Sequence, residues 1–383
     1  YWDVPALASG ATTLLTVTHA FSETGTHWLY AQVDTLEMIT ESVETNNVGD
    51  VSVPVVDRSV DVCGIIDTDT TWVADTVYHV TCDVTVNTGV TLTVEPGTLV
   101  RFGGSDGLAV YGGLNAVGTA TAPIVFTSQS GTPSAGDWNG IDFLSGSQGT
   151  MEHVVVEYAG STAVLIHSGD VRVAYTTIRH NAGDGIHVRG TAAIEGNTIT
   201  DNSGYGVSVW DGPPTVVDNT ITGNGSHAIY YTDPDLVGTD GELSGNVFSG
   251  NGMDGYRVTG LNLDGTRVWA QAMADYPIST YDLDVHGSLT LPAGAEIRVD
   301  DGDEINVYGT LTAVGSAGAP IIFTSQSTPP VAGDWYGLDF ESGSRGTLEH
   351  VVVEYGHYPL YINSADVRVA YTTIRHNAGD GIH

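Results

Sequence analysis

Lysine is missing from this 383-residue chain: all eleven basic residues are arginine, against 46 aspartates and glutamates, for a formal net charge of −35. Phosphate recognition needs a basic footprint, so this balance argues against nucleic-acid and anionic-lipid partners. It attracts cations instead, and it suits a saline setting in which self-repulsion is screened. Long apolar helical stretches and membrane-length runs are missing too, so direct membrane insertion of this segment is not expected. No secretory leader is present; the chain opens in a strand-like stretch and closes inside a repeat, which suggests a piece of a longer protein. Cysteine is scarce. Cys63 and Cys82 lie 19 positions apart. They are expected to pair in an oxidising compartment, where closing such a loop contributes about 3 kcal/mol, and two buried thiols are the alternative. The four methionines make no Met/His cluster of the kind that binds copper.

Glycine is abundant, and threonine, valine, aspartate and asparagine crowd the rest, a mixture that favours short strands joined by tight turns. The chain also repeats itself. Gly136-Asp137-Trp138-Asn139-Gly140-Ile141-Asp142-Phe143 returns 197 residues later as Gly333-Asp334-Trp335-Tyr336-Gly337-Leu338-Asp339-Phe340, and Trp72 returns as Trp269. His153 to Tyr158 returns from His350, and after a one-residue deletion Asp170 to His187 returns unchanged as Asp366 to His383. Inside each unit a shorter period runs. Ile178, Ile199, Ile221 and Phe248 are spaced by 21, 22 and 27 residues, each followed eight positions later by an apolar residue (Ile186, Val207, Ile229, Tyr256). Asn181, Asn202, Asn224 and Asn251 each follow the first apolar position by three.

Such spacing implies coils of about 21 or 22 residues, each with three short strands, stacked in parallel so that apolar residues form inward files. The four asparagines are read as a structural ladder, since the amide can donate and accept between stacked turns and tolerates left-handed backbone. The step of 27 implies a loop inserted at Thr232 to Gly241. Trp72 and Trp269 are expected to cap the open end of a hydrophobic column. Eleven or twelve coils would make a rod of about 55 Å.

Val90-Thr91-Leu92-Thr93-Val94-Glu95-Pro96-Gly97-Thr98, Gly112 to Thr119, Pro123 to Ser128, and the coils around Gly196-Asn197-Thr198-Ile199-Thr200-Asp201-Asn202 together resemble the right-handed parallel β-helix repeat proteins of bacterial and archaeal surfaces. That resemblance spans roughly residues 64 to 383 and implies an all-β fold. It says little of activity, since members include adhesins, carbohydrate-binding proteins, lyases, epimerases and large surface proteins. Gly25 to Asp34, Glu41 to Asn47 and Val51-Ser52-Val53 are similar to the second half of a CARDB domain, an immunoglobulin-like β-sandwich. The implied organisation is a partial sandwich over 1–57, a first β-helix unit over 58–260 and a second, truncated unit over 261–383.

Chemistry is harder to place. The Gly-His-Gly run of polygalacturonase-like hydrolases and the Asp-Pro-His-Glu run of mannuronan epimerases do not occur. Asp300, Asp301 and Asp303 are acidic enough to suggest calcium, although the spacing is not an EF-hand loop and a solvated turn is the preferred reading. The first unit has the much less acidic Gly103-Gly104-Ser105-Asp106 at that place. Glu157, Tyr158, Arg179 and His180, with Glu354 and Tyr355 in the copy, form a candidate polysaccharide-binding face; Arg172 and His187 fall nearby in sequence. A carboxylate, a base and an arginine within reach could perform β-elimination or acid–base work, but the same residues are ordinary on an outward β-helix face. Aromatic residues such as Trp138, Tyr175, Tyr205, Trp210, Tyr230 and Tyr231 serve either as sugar platforms or as core. The expected function is an extracellular or cell-surface structural and adhesive rod. It would associate with itself or with neighbouring surface proteins, and it could assemble into a fibre or layer through exposed coil ends. A β-helix lyase, epimerase, hydrolase or carbohydrate-binding protein is the alternative, with its active residues expected together on one face.

Overall fold

The structure, a computed structural model, describes residues 25–32, 48–55, 58–74, 76–167, 170–363 and 365–383. Two compact units divide between Arg58 and Ser59. In the first, Gly25–Gln32 and Val48–Val55 pair antiparallel, Gly25 opposite Val55. The stretch Glu41 to Asn47, used above for the CARDB likeness, lies outside the described residues.

Ser59–His383 is a parallel β-solenoid. Three strands make most coils, and each pairs in parallel with its counterpart one coil on. The alternation written in the sequence decides which side chains enter the core: in Thr198–Thr200 only Ile199 is buried, between two outward threonines. One file thus runs Val156, Ile178, Ile199, Ile221 and Phe248, all at most 5% exposed. It belongs to face A, which extends from Leu99–Phe102 to Val247–Ser249. Face B starts at Leu108–Val110 and includes Thr162–Ile166, Asp184–Arg189 and Met253–Val258. Face C includes Gln148–Glu152, Asp170–Ala174 and Ala192–Glu195 and ends at Leu243–Ser244.

Two long strands open the solenoid. Val77–Val86 spans faces A and B, pairing with Leu99–Phe102 through its first half and Leu108–Val110 through its second. Its pairing with Ser59–Ile66 slips between Val62 and Gly64. The slip marks the corner, and Cys63 and Cys82 are joined there by a disulfide with Cα atoms 4.9 Å apart.

The two sequence units form one continuous solenoid, but not in register. Met253–Val258, the end of face B in the first unit, pairs onward with Ile278–Thr280, and that column continues through Glu296–Val299, Ile321–Ser325 and Val351–Glu354 to Thr373–Arg375. By the 197-residue shift, Glu296–Val299 is the copy of Leu99–Phe102, a face A strand. The second unit is therefore built one face further round. Faces A and C stop at the joint. Phe248 is closed off by Tyr276, ring centroids 4.4 Å apart, whose hydroxyl accepts from the Phe248 amide at 3.1 Å. Two new five-stranded columns begin at Asn262–Leu263 and Thr266–Val268. The loop after Tyr231 contains a short turn, Pro234–Leu236, whose Asp235 carboxylate accepts from the amides of Asp264 and Gly265 and pairs with Arg267.

Face B and its continuation hold 14 strands, so the rod is about 60 Å long at one β-spacing per coil. The eleven or twelve coils expected were too few because the early coils lack the Ile/Asn marker that carried the count. Trp72 fits its expected place in the first coil, buried and stacked on Tyr78 at 4.9 Å. Trp269 follows Thr266–Val268, the first strand of its column, and is buried at the joint inside the continuous solenoid rather than at an open end.

Candidate functional site: two framed faces and a half-buried carboxylate

The asparagine ladder is continuous. Asn181 Nδ2 donates to Asn202 Oδ1 at 2.7 Å, Asn202 Nδ2 to Asn224 Oδ1 at 2.9 Å, and Asn224 Nδ2 to Asn251 Oδ1 at 2.9 Å. Asp254 closes it by accepting from Asn251 Nδ2 at 2.8 Å. A second ladder, Asn197–Asn219–Asn246, runs at the corner between faces C and A and escaped the sequence reading. Its signal is an asparagine two residues before each inward apolar residue, as in Gly196-Asn197-Thr198-Ile199. The residue preceding each ladder position has left-handed backbone: His180 (φ 56°), Asp201 (φ 55°) and Asp218 (φ 57°) among them. Outside glycine that conformation is costly, and the ladder's hydrogen bonds to the following amides hold it in place.

At the top of both corners the left-handed residues are aromatic, and they stack. His153 and Tyr175 lie 5.5 Å apart between centroids, Tyr158 and His180 5.9 Å. Between these two edges, on face A, Arg179 Nε donates to Glu157 Oε2 at 2.9 Å and Thr127 Oγ1 donates to Glu157 Oε1 at 2.9 Å. Trp138, fully buried, stacks on Phe102 at 4.0 Å and donates Nε1–H to the Glu157 carbonyl at 2.8 Å. The second unit repeats the arrangement: Arg375 to Glu354 at 2.7 Å, Thr324 to Glu354 at 3.3 Å, His350 on Tyr371 at 4.9 Å and Tyr355 on His376 at 5.5 Å. Because of the shift at the joint, the copies sit on successive faces of the rod. Eight coil steps separate Thr162–Ile166 from Val351–Glu354, an axial distance of about 40 Å.

Glu157, Tyr158, Arg179 and His180 are thus brought together, as are Glu354, Tyr355, Arg375 and His376. The other residues weighed for catalysis are not. Arg172 lies on face C between Glu152 and Glu195, at 2.8 and 2.9 Å. His187 lies on face B in a chain of its own. Arg189 Nε donates to its Nε2 at 3.0 Å; an arginine only donates, so the other ring nitrogen carries the proton. That Nδ1 contacts Ser208 Oγ at 3.1 Å, and Ser208 donates to Asp184 at 2.6 Å. Ser208 is fully buried and is no exposed nucleophile. Trp138 and Tyr231 are core, whereas Tyr175 and Trp210 project, 55% and 48% exposed.

Asp300 pairs with Arg257 through both oxygens, at 2.8 and 2.6 Å. Burial, then Asp282 and Asp300, raise the Asp303 pKa. Among the described residues no group of three or more His, Cys, Asp or Glu side chains is placed to hold a metal ion, so Asp300, Asp301 and Asp303 do not converge on calcium.

The sequence reading passed over one position, the second aspartate of the repeated Gly136–Phe143 segment. Asp142 and its copy Asp339 point outward between inward neighbours, and in each Oδ1 is buried without a hydrogen-bond partner. Burial raises the Asp142 pKa, against the lowering influence of His167, Arg189 and His187. At Asp339 burial acts together with Glu341 and Glu304 and pushes the carboxyl up to about 6.

Comparison with known families agrees with this architecture. A right-handed beta helix region model matches residues 139–268. A pectate-lyase-like beta helix domain model matches residues 64–184, and a CARDB model matches residues 1–50. The chain is a β-helix repeat protein with a CARDB segment at its N-terminus. No curated protein and no solved structure matches it. The β-helix likeness identifies the scaffold; the residues discussed above occupy three different faces of it.

Proposed function

We propose that this β-helix is a structural and adhesive rod of the cell exterior that holds polysaccharide on its flank without cleaving it. The observation that carries the reading is the duplication of one framed face: the same aromatic corners around the same ion pair, about 40 Å apart on successive faces. Exposed tyrosines offer stacking surfaces for sugar rings, and a rigid backbone presents them at low entropic cost. Binding is favoured over catalysis because both Glu157 oxygens are already engaged, by Thr127 and Arg179, and because Arg172 and His187 face elsewhere. The Cys63–Cys82 bond suits an oxidising exterior.

Tyr175 and Tyr371 are 55% and 75% exposed, so replacing both with alanine should leave the fold intact. Co-sedimentation with a panel of insoluble and gel-forming polysaccharides should show binding by the native protein and about tenfold weaker binding by Tyr175→Ala/Tyr371→Ala, the loss expected for one good stacking contact per patch. Unsaturated or shortened products from any of these polymers would overturn the non-catalytic reading. Equal retention of the double variant would remove the patches from the account.

A further inference from the structure

The two sequence units are alike where they build coils, yet they differ sharply around Asp339. Gly333-Asp334-Trp335 repeats Gly136-Asp137-Trp138 unchanged, and Asp339 repeats Asp142. Around this conserved pair the second unit has Glu304 where the first has Gly107, Tyr336 for Asn139, Tyr358 for Thr162 and Tyr361 for Leu165, after the deletion is allowed for. All four replacements, with Gly337 and Asp339, line one hollow of about 200 Å³. Tyr361 sits one coil beyond Asp339 in direct register, and its ring stacks on His383 at 5.0 Å. Tyr336 and Tyr358 remain 52% and 47% exposed. A second hollow of about 220 Å³ adjoins the first across Tyr336 and is lined by Asp301, Gly302, Gly333, Asp334 and His357.

The charge here is of one sign. Asp339 is flanked by Glu304 and Glu341. Asn306 Nδ2 donates to Glu304 at 3.2 Å and Asn363 Nδ2 to Glu341 at 3.3 Å, so amides attend these acids. In the first unit His167 lies 3.8 Å from the equivalent Asp142, and Arg189 and His187 act on it too. Where the first unit has His167 the second has Asn363, where it has Gly107 the second has Glu304, and phenol rings surround the carboxylate; His383 stands at the place of His187. Tyrosine faces and carboxylates together favour an organic cation, by cation–π attraction and by charge. A row of two open hollows across one exposed tyrosine favours a chain of rings over a compact molecule.

We infer that the Tyr336–Tyr358–Tyr361 hollow binds a glycan whose rings carry free ammonium groups, a de-N-acetylated hexosamine polymer, with the ammonium on Asp339 and Glu304 and the ring face on tyrosine. This site is separate from the framed faces and does not depend on their reading. The acidic surface that repels uronate polymers attracts such a chain from a distance.

The test is calorimetric titration of the whole protein with glucosamine oligomers at about pH 6.5, above the value of about 6 at which Asp339 ionises, alongside N-acetylglucosamine oligomers of the same length and choline. Tyr336→Asn and Tyr361→Leu are suitable variants because each installs the residue the first unit already carries at that place. The expected result is binding of the free-amine oligomer that salt weakens, no measurable binding of the acetylated oligomer, and about a tenfold loss in each variant, the scale of one desolvated cation–π contact. Asp339→Asn should lose binding as well. The inference is overturned if the acetylated oligomer binds as well as the free amine, if choline binds more tightly than either, or if both tyrosine variants bind like the native chain. Retained binding by Tyr175→Ala/Tyr371→Ala is expected; its loss there would move the ligand to the framed faces and overturn the assignment equally.

Discussion

Replacing Asn202 with alanine should open the middle of the rod selectively. Asn202 is 1% exposed, and its side chain makes four hydrogen bonds. Oδ1 accepts from Asn181 N at 3.2 Å and Asn181 Nδ2 at 2.7 Å, while Nδ2 donates to Asn224 Oδ1 at 2.9 Å and to the Ile178 carbonyl at 3.1 Å. At about 1 kcal/mol net for each bond, with buried partners left unpaired, the loss is about 4 kcal/mol. Asn202→Asp should cost more at neutral pH, because a buried carboxylate would face two acceptors, Asn224 Oδ1 and the Ile178 carbonyl; acid should relieve part of that excess. Asn251→Ala, at the partly exposed end where water can substitute, should cost about half as much as Asn202→Ala. Stacked coils open locally, so a single melting curve would blur these effects. Hydrogen exchange resolved by peptide is the better assay. Amides between Thr177 and Gly225 should exchange about a thousandfold faster in Asn202→Ala, and those beyond the joint should be unchanged. If Asn202→Ala and Asn202→Asp shift local exchange equally, by less than about tenfold, the ladder is merely occupying space and the reasoning fails.

Three further outcomes follow from other parts of the rod. Asp339 is held at about 6 in the folded chain against an ordinary 3.8, so its stabilising contribution is present below the lower value and is lost as pH rises through the higher. Asp339→Asn should therefore match the native melting temperature in acid and gain about 1 kcal/mol at neutral pH, discounted for solvent screening. His227 is depressed to about 4 by burial and by Arg257, so the native chain should lose stability as pH falls from 6.5 towards that value. A His227→Asn variant should flatten that slope in pH-resolved melts. Cys63→Ser/Cys82→Ser should destabilise the first two coils by about 3 kcal/mol, seen as faster exchange confined to Ser59–Ile66 and Val77–Val86.

The coil was legible because its signals are local. Alternation around Ile199 fixes which residues enter the core, and a recurring asparagine at a corner implies a neighbour one turn away. The face-by-face displacement of the second unit had no such signal. It is decided where Met253–Val258 accepts Ile278–Thr280, and a repeat of identical residues does not say which column the next copy will join. What balances the acidic run at Asp300 was not legible locally, because Arg257, which pairs with Asp300, is 43 residues away and becomes adjacent only through stacking. Asp142 and Asp339 were visible as part of a repeated motif, but their meaning depends on what lies one coil on either side. Only the stacked order sets Ala109 and Leu165 beside the first, and Asn306 and Tyr361 beside the second.

The joint at Met253–Val258 also bears on what recombination between near-identical copies would do. Stretches such as Asp170 to His187 and Asp366 to His383 are alike enough in sequence to misalign. Gaining or losing one whole unit at such a point would do more than change reach. With three faces to the rod and a one-face advance at each joint, every change in copy number would also swing whatever follows to a new bearing around the axis. Copy number would then act as an indexing dial, and three units would bring a given surface back to its starting direction, about 120 Å further along.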